Sequence, residues 1–145
     1  MRKLKKENRQ NAENANLSNN IDKEKIEKQI RFILLISWIL PFFGLFFLHF
    51  SRKTLHDKPK EILCKIINME FTSIIILFIL TSLLNTLAIA KVSGIILLFI
   101  TVIMLGILIY AVISHVIGTL KWSKGEDYSF KYSLEFFKPY ENINK

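Results

Sequence analysis

FTSIIILFILTSLLNTLAIA, Phe71–Ala90, runs for twenty residues without a charge, and IILLFITVIMLGILIYAVISHVIGTL, Ile95–Leu120, for twenty-six more. Only Lys91, Val92, Ser93 and Gly94 separate them. At about 1.5 Å of rise per residue these helices measure about 30 and 39 Å, against a hydrocarbon core about 30 Å thick. A four-residue link permits only an antiparallel return, and Gly94 suits a helix terminus or turn. The stretch therefore predicts an all-α membrane protein organised around a transmembrane helical hairpin.

A third apolar block, Phe32–Phe50, precedes the hairpin and is interrupted by Pro41-Phe42-Phe43-Gly44. Proline removes a backbone donor and clashes with the preceding turn, and Gly44 frees the chain to bend, so Pro41 and Gly44 mark a hinge. The block reads either as one kinked span or as a re-entrant hairpin with arms of about 15 Å. Irregular backbone at that depth needs protein cover, which two full spans supply.

Charge favours the second reading. Lys and Arg number nine before the block, five in 51–70, one in the link and five after Leu120. Three full spans would place ten on each side, whereas a re-entrant block places nineteen on one face and one on the other. The latter partition is what a cytoplasmic face carries. The expected location is a cell membrane, crossed more than once, with the basic segments cytoplasmic. The Lys, Asn and Ile bias points to an AT-rich bacterial genome.

Half the residues are apolar (51%) while the net charge is +8, and segregation reconciles the two. The charges lie beside the apolar blocks, so the basic surface is expected to meet anionic lipid headgroups rather than nucleic acid. With so much of a 145-residue chain in lipid, no soluble core is large enough for an independent enzyme. Cys64 is the sole cysteine, so neither an intramolecular disulfide nor a thiolate metal cluster is available.

The domain plan is a basic tail at 1–20, a single helical membrane domain at 21–138 and a short C-terminal end at 139–145. The tail carries almost nothing apolar to offset the entropy of ordering it, and it does not read as a signal peptide. From Ile21 helical spacing begins, with Ile26, Ile30 and Ile33 on one face. Pro59 suits a helix's first turn, and Ile62, Leu63, Ile66 and Ile67 then share a face opposite Lys60, Glu61, Lys65 and Asn68. This predicts an interfacial amphipathic helix leading into the first span. After the second span, Lys121-Trp122 suits the membrane boundary and Lys124-Gly125-Glu126-Asp127 a turn. Tyr128, Phe130, Tyr132, Leu134 and Phe136 alternate with mainly polar residues, as in an extended segment lying on the membrane or against the amphipathic helix.

Polar residues within apolar spans are the candidates for function. They are Asn85 in the first span, Tyr110, Ser114 and His115 in the second, Glu70 at the mouth and His49 at the end of the first block. Asn85 reads as helix-helix glue, and Ser114 with Gly118 has the small-residue spacing of close helix approach. His115 reads first as a packed histidine bonded to a neighbouring helix, and only second as a relay or ligand. Glu70 and Lys65 form a headgroup-level couple rather than an acid-base pair. No nucleophile elbow, zinc-protease motif, phosphate loop or intramembrane aspartate pair occurs, and no cofactor or metal site is expected.

The order of parts carries a resemblance. The broken block Ile39-Leu40-Pro41-Phe42-Phe43-Gly44 ending at Ser51-Arg52-Lys53, the stretch from Lys60-Glu61 to Asn68-Met69-Glu70-Phe71, and the closing Lys124-Gly125-Glu126-Asp127-Tyr128-Ser129-Phe130 resemble one family. It is the small bacterial membrane-protein family of unknown function that is distantly similar to the channel-forming Tic-type subunit of the chloroplast inner-envelope import machinery. The resemblance covers about residues 29–138. This chain departs from it at Met69-Glu70, where the family usually has Phe-Gln, and at Phe130-Lys131, where it usually has Tyr-Pro. It implies a helical membrane protein without known catalysis.

The expected function is thus a non-enzymatic small subunit or partner of a membrane assembly, self-associating or bound to another membrane protein, with peptide or protein translocation as one role of such an assembly. The alternatives are an immunity-type protein against a membrane-active peptide, and, last, an intramembrane enzyme or metal site using His49, His115 and Glu70.

Overall fold

A computed structural model describes residues 2–41, 43–50 and 55–139, with side chains from Asn20 onward. The order is α1 (Arg2–Ile39), α2 (Phe43–Phe50), α3 (Asp57–Ile89) and α4 (Gly94–Ser123), followed by an irregular segment to Pro139. Phe42, Arg52 and Lys53 and the end from Tyr140 lie outside the described residues.

Two helices, α3 and α4, are long and apolar enough to cross a membrane. They pair closely and are joined by a short turn. The turn closes as a Schellman motif: the Lys91 N–H donates to Ala88 O and the Val92 N–H to Leu87 O, each near 3.0 Å. Lys91 occupies the left-handed position at φ 54°, and Gly94 instead opens α4. The same motif ends α4, with Gly125 at φ 78° donating to Trp122 O and Glu126 to Lys121 O. Here the sequence supplies glycine where the backbone demands it, and the Lys124-Gly125-Glu126 motif is a helix stop. Matching substitutions are expected to act in opposite directions. Lys91→Gly should raise stability by about 1 kcal/mol and Gly125→Ala lower it by about 1–2 kcal/mol, read as shifts in thermal midpoint.

The first block is a short helical hairpin. Pro41 ends α1 and Gly44 restarts the chain against it, its N–H bonded to Leu40 O at 3.0 Å. The space at Gly44 is full: an added Cβ would lie 2.7 Å from Ile36 Cγ2 and 2.9 Å from Leu40 Cβ. The two ends of the block then meet, because the His56 backbone N–H donates to Gln29 Oε1 at 3.0 Å. From Gln29 to Ile39 the block rises only about 15 Å along an α3 about 50 Å long.

A core forms at this base. Ile30, Ile33 and Leu34 of α1, Leu45 of α2, and Ile62, Leu63, Ile66, Ile67 and Met69 of α3 pack with Trp122 and Phe130. The apolar face of the amphipathic stretch is therefore covered by protein rather than laid on a membrane surface. Asn68, expected on the polar side, is buried, and α3 continues unbroken through it. The cause is that three other elements converge on these turns.

Two further expectations differ. The backbone of the first twenty residues, expected as a mobile tail, continues α1 back to Arg2. No Pro or Gly occurs before Pro41, and Ala, Glu, Gln, Lys and Leu favour helix. Further along α1, Glu24–Lys28 and Glu27–Arg31 pairs add i,i+4 support, and Lys28 holds the Glu24 carboxyl below its ordinary range. The alternating segment after Asp127 is not a strand. A turn at Lys131-Tyr132 breaks it, so Phe130 is buried while Tyr132, Leu134 and Phe136 are exposed. It does lie against the first half of α3, as one of the two expected placements has it.

Candidate functional site

Above the base the α3–α4 hairpin stands bare, and the tip of the first block ends beside its polar residues. Ser37, on the last full turn of α1, faces His115 of α4, with Oγ 3.0 Å from Nε2. On the other side of the ring, His115 Nδ1 lies 3.9 Å from Glu70 Oε1 of α3. Both side chains are about nine-tenths buried. Trp38 completes the cluster, its indole edge-on to the imidazole at 4.7 Å and its Nε1–H donating to Thr119 Oγ1 at 3.3 Å. One imidazole thus sits where three helices meet, hydrogen-bonded to α1 and facing the Glu70 carboxyl of α3.

Proton bookkeeping limits what this cluster does. The Ser37 hydroxyl donates to Leu34 O at 2.7 Å, so it accepts from His115, whose proton must sit on Nε2. The Nδ1 lone pair then faces the Glu70 carboxyl at 3.9 Å, and a proton held between the two makes this contact attractive. The connectivity Ser-His-Glu matches that of a hydrolytic triad, but the serine hydroxyl is committed to its own helix. Ser37 also lies inside a regular helix whose amides bond along the ladder, so among the described residues no oxyanion donors face it. The cluster is a hydrogen-bonded clamp between helices.

A cavity of about 670 Å³ opens directly above it, between the tip of the first block and the hairpin. Glu70, His115 and Ser37 form its polar end, and Leu77 and Leu108 its far, apolar end.

Other expected site residues are placed elsewhere. His49 lies six residues lower on the α3 side, its Nδ1 3.8 Å from Cys64 Sγ and its ring against Phe137. It does not join His115 and Glu70, and among the described residues no three His, Cys, Asp or Glu side chains gather to hold a metal. Lys65 pairs with Glu61 at 2.6 Å rather than with Glu70, because residues five apart on a helix do not share a face. Ser114 is buried in α4, but Gly118 makes room for rings rather than for a second helix: an added Cβ would meet Trp122 and Tyr128 at 3.1–3.2 Å. Tyr110 is exposed beside Tyr132. Asn85 is exposed on α3 and bonds nothing within the described chain, so any glue it supplies is directed outward.

Asn68 has the most specific local role. Its Oδ1 accepts from the Phe136 and Phe137 N–H groups at 3.0 and 2.8 Å, and its Nδ2 donates to Phe137 O at 2.8 Å. Thr72 Oγ1 accepts from Leu134 N one turn on. These two side chains hold the irregular segment onto α3 where no ladder exists. Lys58 adds a bond to Gly125 O at 3.3 Å from below.

Sequence reasoning did not select Ser37, Trp38 or Thr72. Ser37 has one local signal, a hydroxyl in an apolar block one turn before a proline. No protein-family model, curated protein or solved structure matches the chain.

Proposed function

We propose that this chain is a small, non-enzymatic integral membrane subunit with a re-entrant first block and a single basic face. In this reading α3 and α4 cross the bilayer, and residues 21–31, 57–65 and the segment after α4 share the cytoplasmic side against anionic headgroups. The observation that carries it is the Gln29–His56 hydrogen bond, since a block whose two ends touch returns to the side it left. From Glu70 to Ile89 the hairpin rises about 29 Å, close to one hydrocarbon thickness. The block's tip then sits at the inner boundary of the hydrocarbon, shallower than half-way. Its exposed outer residues, among them Phe43 and Phe47 at 79% and 76% exposure, are suited to lipid.

The role as a subunit draws support from Asn85. An amide in hydrocarbon without a partner is costly, and a side chain that both donates and accepts is matched by another helix carrying the same kind of group. The partner is a second copy or another membrane protein. Native mass spectrometry of the chain extracted in mild detergent tests this. Wild type is expected in a defined assembly, and Asn85→Leu is expected to weaken association by about 1 kcal/mol, roughly fivefold. A wild-type chain that is wholly single under those conditions would remove the subunit reading.

A further inference from the structure

The irregular segment after α4 climbs the hairpin and comes back. It leaves the base beside Trp122, where the Phe130 ring packs at 5.6 Å, and a turn follows at Lys131-Tyr132. The Tyr132 ring lies 5.8 Å from that of Tyr110, which stands five residues above His115 on α4, about 7 Å higher. Side chains of α3 fix the descending limb. The Leu134 N–H donates to Thr72 Oγ1 at 3.0 Å, and the Phe136 and Phe137 N–H groups donate to Asn68 Oδ1 one turn lower. The top of this loop therefore stands above Glu70, after which the twenty charge-free residues Phe71–Ala90 begin.

We infer that this loop is a wedge set into the bilayer, with Tyr132, Leu134 and Phe136 lodged among phospholipids where headgroups meet acyl chains. The inference rests on α3 and α4 crossing the membrane, as proposed above, and adds a second point of entry on the same leaflet as the tip of the first block.

Three features select lipid as the neighbour. Tyr132, Leu134 and Phe136 are 68%, 57% and 46% exposed while Phe130 of the same segment is buried, so the chain holds these side chains outward at a cost that water does not repay. Their surface continues that of α4 through Tyr110, which is itself exposed and faces lipid in a spanning hairpin. The charges fit the same depth. The Lys131 ammonium lies 5.7 Å from the Tyr132 ring centre on a stem long enough to reach the headgroups, and Glu135 lines a cavity shared with Lys65 and Ser129 toward the base. Tyrosine beside lysine at this level is the composition of a membrane interface.

The test reads depth with nitroxide labels on single cysteines in a Cys64→Ser background, using the full chain reconstituted in vesicles of phosphatidylcholine and phosphatidylglycerol. Oxygen concentrates in lipid and a nickel chelate in water, so the ratio of their collision rates reports immersion. Labels on Tyr132→Cys and Leu134→Cys are expected to give a ratio roughly threefold or more above that of Asn20→Cys, and below that of Leu105→Cys near mid-span. Both loop positions are exposed, so a label displaces no packing, and disturbance of one leaves the other to decide. Loop ratios equal to that at Asn20, with Leu105 immersed, would overturn the wedge and leave the spanning hairpin standing. A water-like ratio at Leu105 would overturn the spanning reading and the wedge together. Few collisions with either reagent at both loop positions would show a protein cover and overturn the inference in favour of a second chain.

Discussion

Asn68→Ala is expected to release the C-terminal segment from α3 and to lower stability by about 3 kcal/mol, from three lost hydrogen bonds at about 1 kcal/mol each. The Asn68 side chain is the common partner of both N–H groups and the carbonyl at Phe136-Phe137, and it is only 5% exposed. Removing it leaves three backbone groups of a segment without secondary structure to find water. Asn68→Asp separates the contributions. The aspartate keeps an acceptor for the two N–H groups but sets an oxygen against Phe137 O, so its effect should exceed the loss of one bond. Trypsin reports the release directly, through faster cleavage after Lys131 in detergent, alongside the fall in thermal midpoint. Cleavage and midpoint unchanged from wild type would show that the segment is held by its aromatic contacts alone.

Gly44→Val should be comparably severe. The residue sits where α2 turns back on α1, and the atoms its side chain would meet have little freedom. Ile36 is β-branched and stiff at χ1, and Leu40 Cβ is fixed by the backbone. Even alanine needs the two arms to part, at about 1–3 kcal/mol, and valine should exceed that range. The structural consequence is specific: the arms open and Gln29 separates from His56. A disulfide between Gln29→Cys and His56→Cys, formed readily with Gly44 present, should form poorly with valine there. Equal yields would mean that the block closes without the close approach at Gly44.

Much of this architecture is legible in the sequence because it rests on local properties. Charge-free length marks α3 and α4, Pro41 and Gly44 mark the break, and Lys124-Gly125 marks the end of α4. What the sequence hides is non-local. The i,i+4 pattern of Ile62, Ile66 and Ile67 shows that one face is apolar, and only the arrival of α1, α2 and Phe130 decides that protein covers it. Alternation from Tyr128 to Phe136 suggests an extended segment, yet the hydrogen bonds that fix it come from Asn68 and Thr72, more than sixty residues earlier. Glu70 has Lys65 near it in sequence and His115 near it in space. Its clamp partner Ser37 is 78 residues from His115, a pairing no local spacing reveals.

The Gly94–Ser123 helix also shows how one pattern serves two outcomes. Ser114 and Gly118 have the spacing of a close helix contact, and the space at Gly118 is taken by the Trp122 and Tyr128 rings. Small residues announce that something approaches closely. They do not say what.

The most direct test of the account is the side of the membrane on which each segment lies. Single cysteines at Asn20, Ser93 and Ser129, all exposed positions, in a Cys64→Ser background can be treated in intact cells with an impermeant thiol reagent. Labelling at Ser93 alone, with Asn20 and Ser129 reacting only after the membrane is opened, is the predicted result. It would place the one-lysine turn outside and both ends of the base inside, as a re-entrant block requires. Labelling of Asn20 together with Ser93 but not Ser129, or of Ser129 together with Ser93 but not Asn20, would put the two ends of the base on opposite sides and contradict the account.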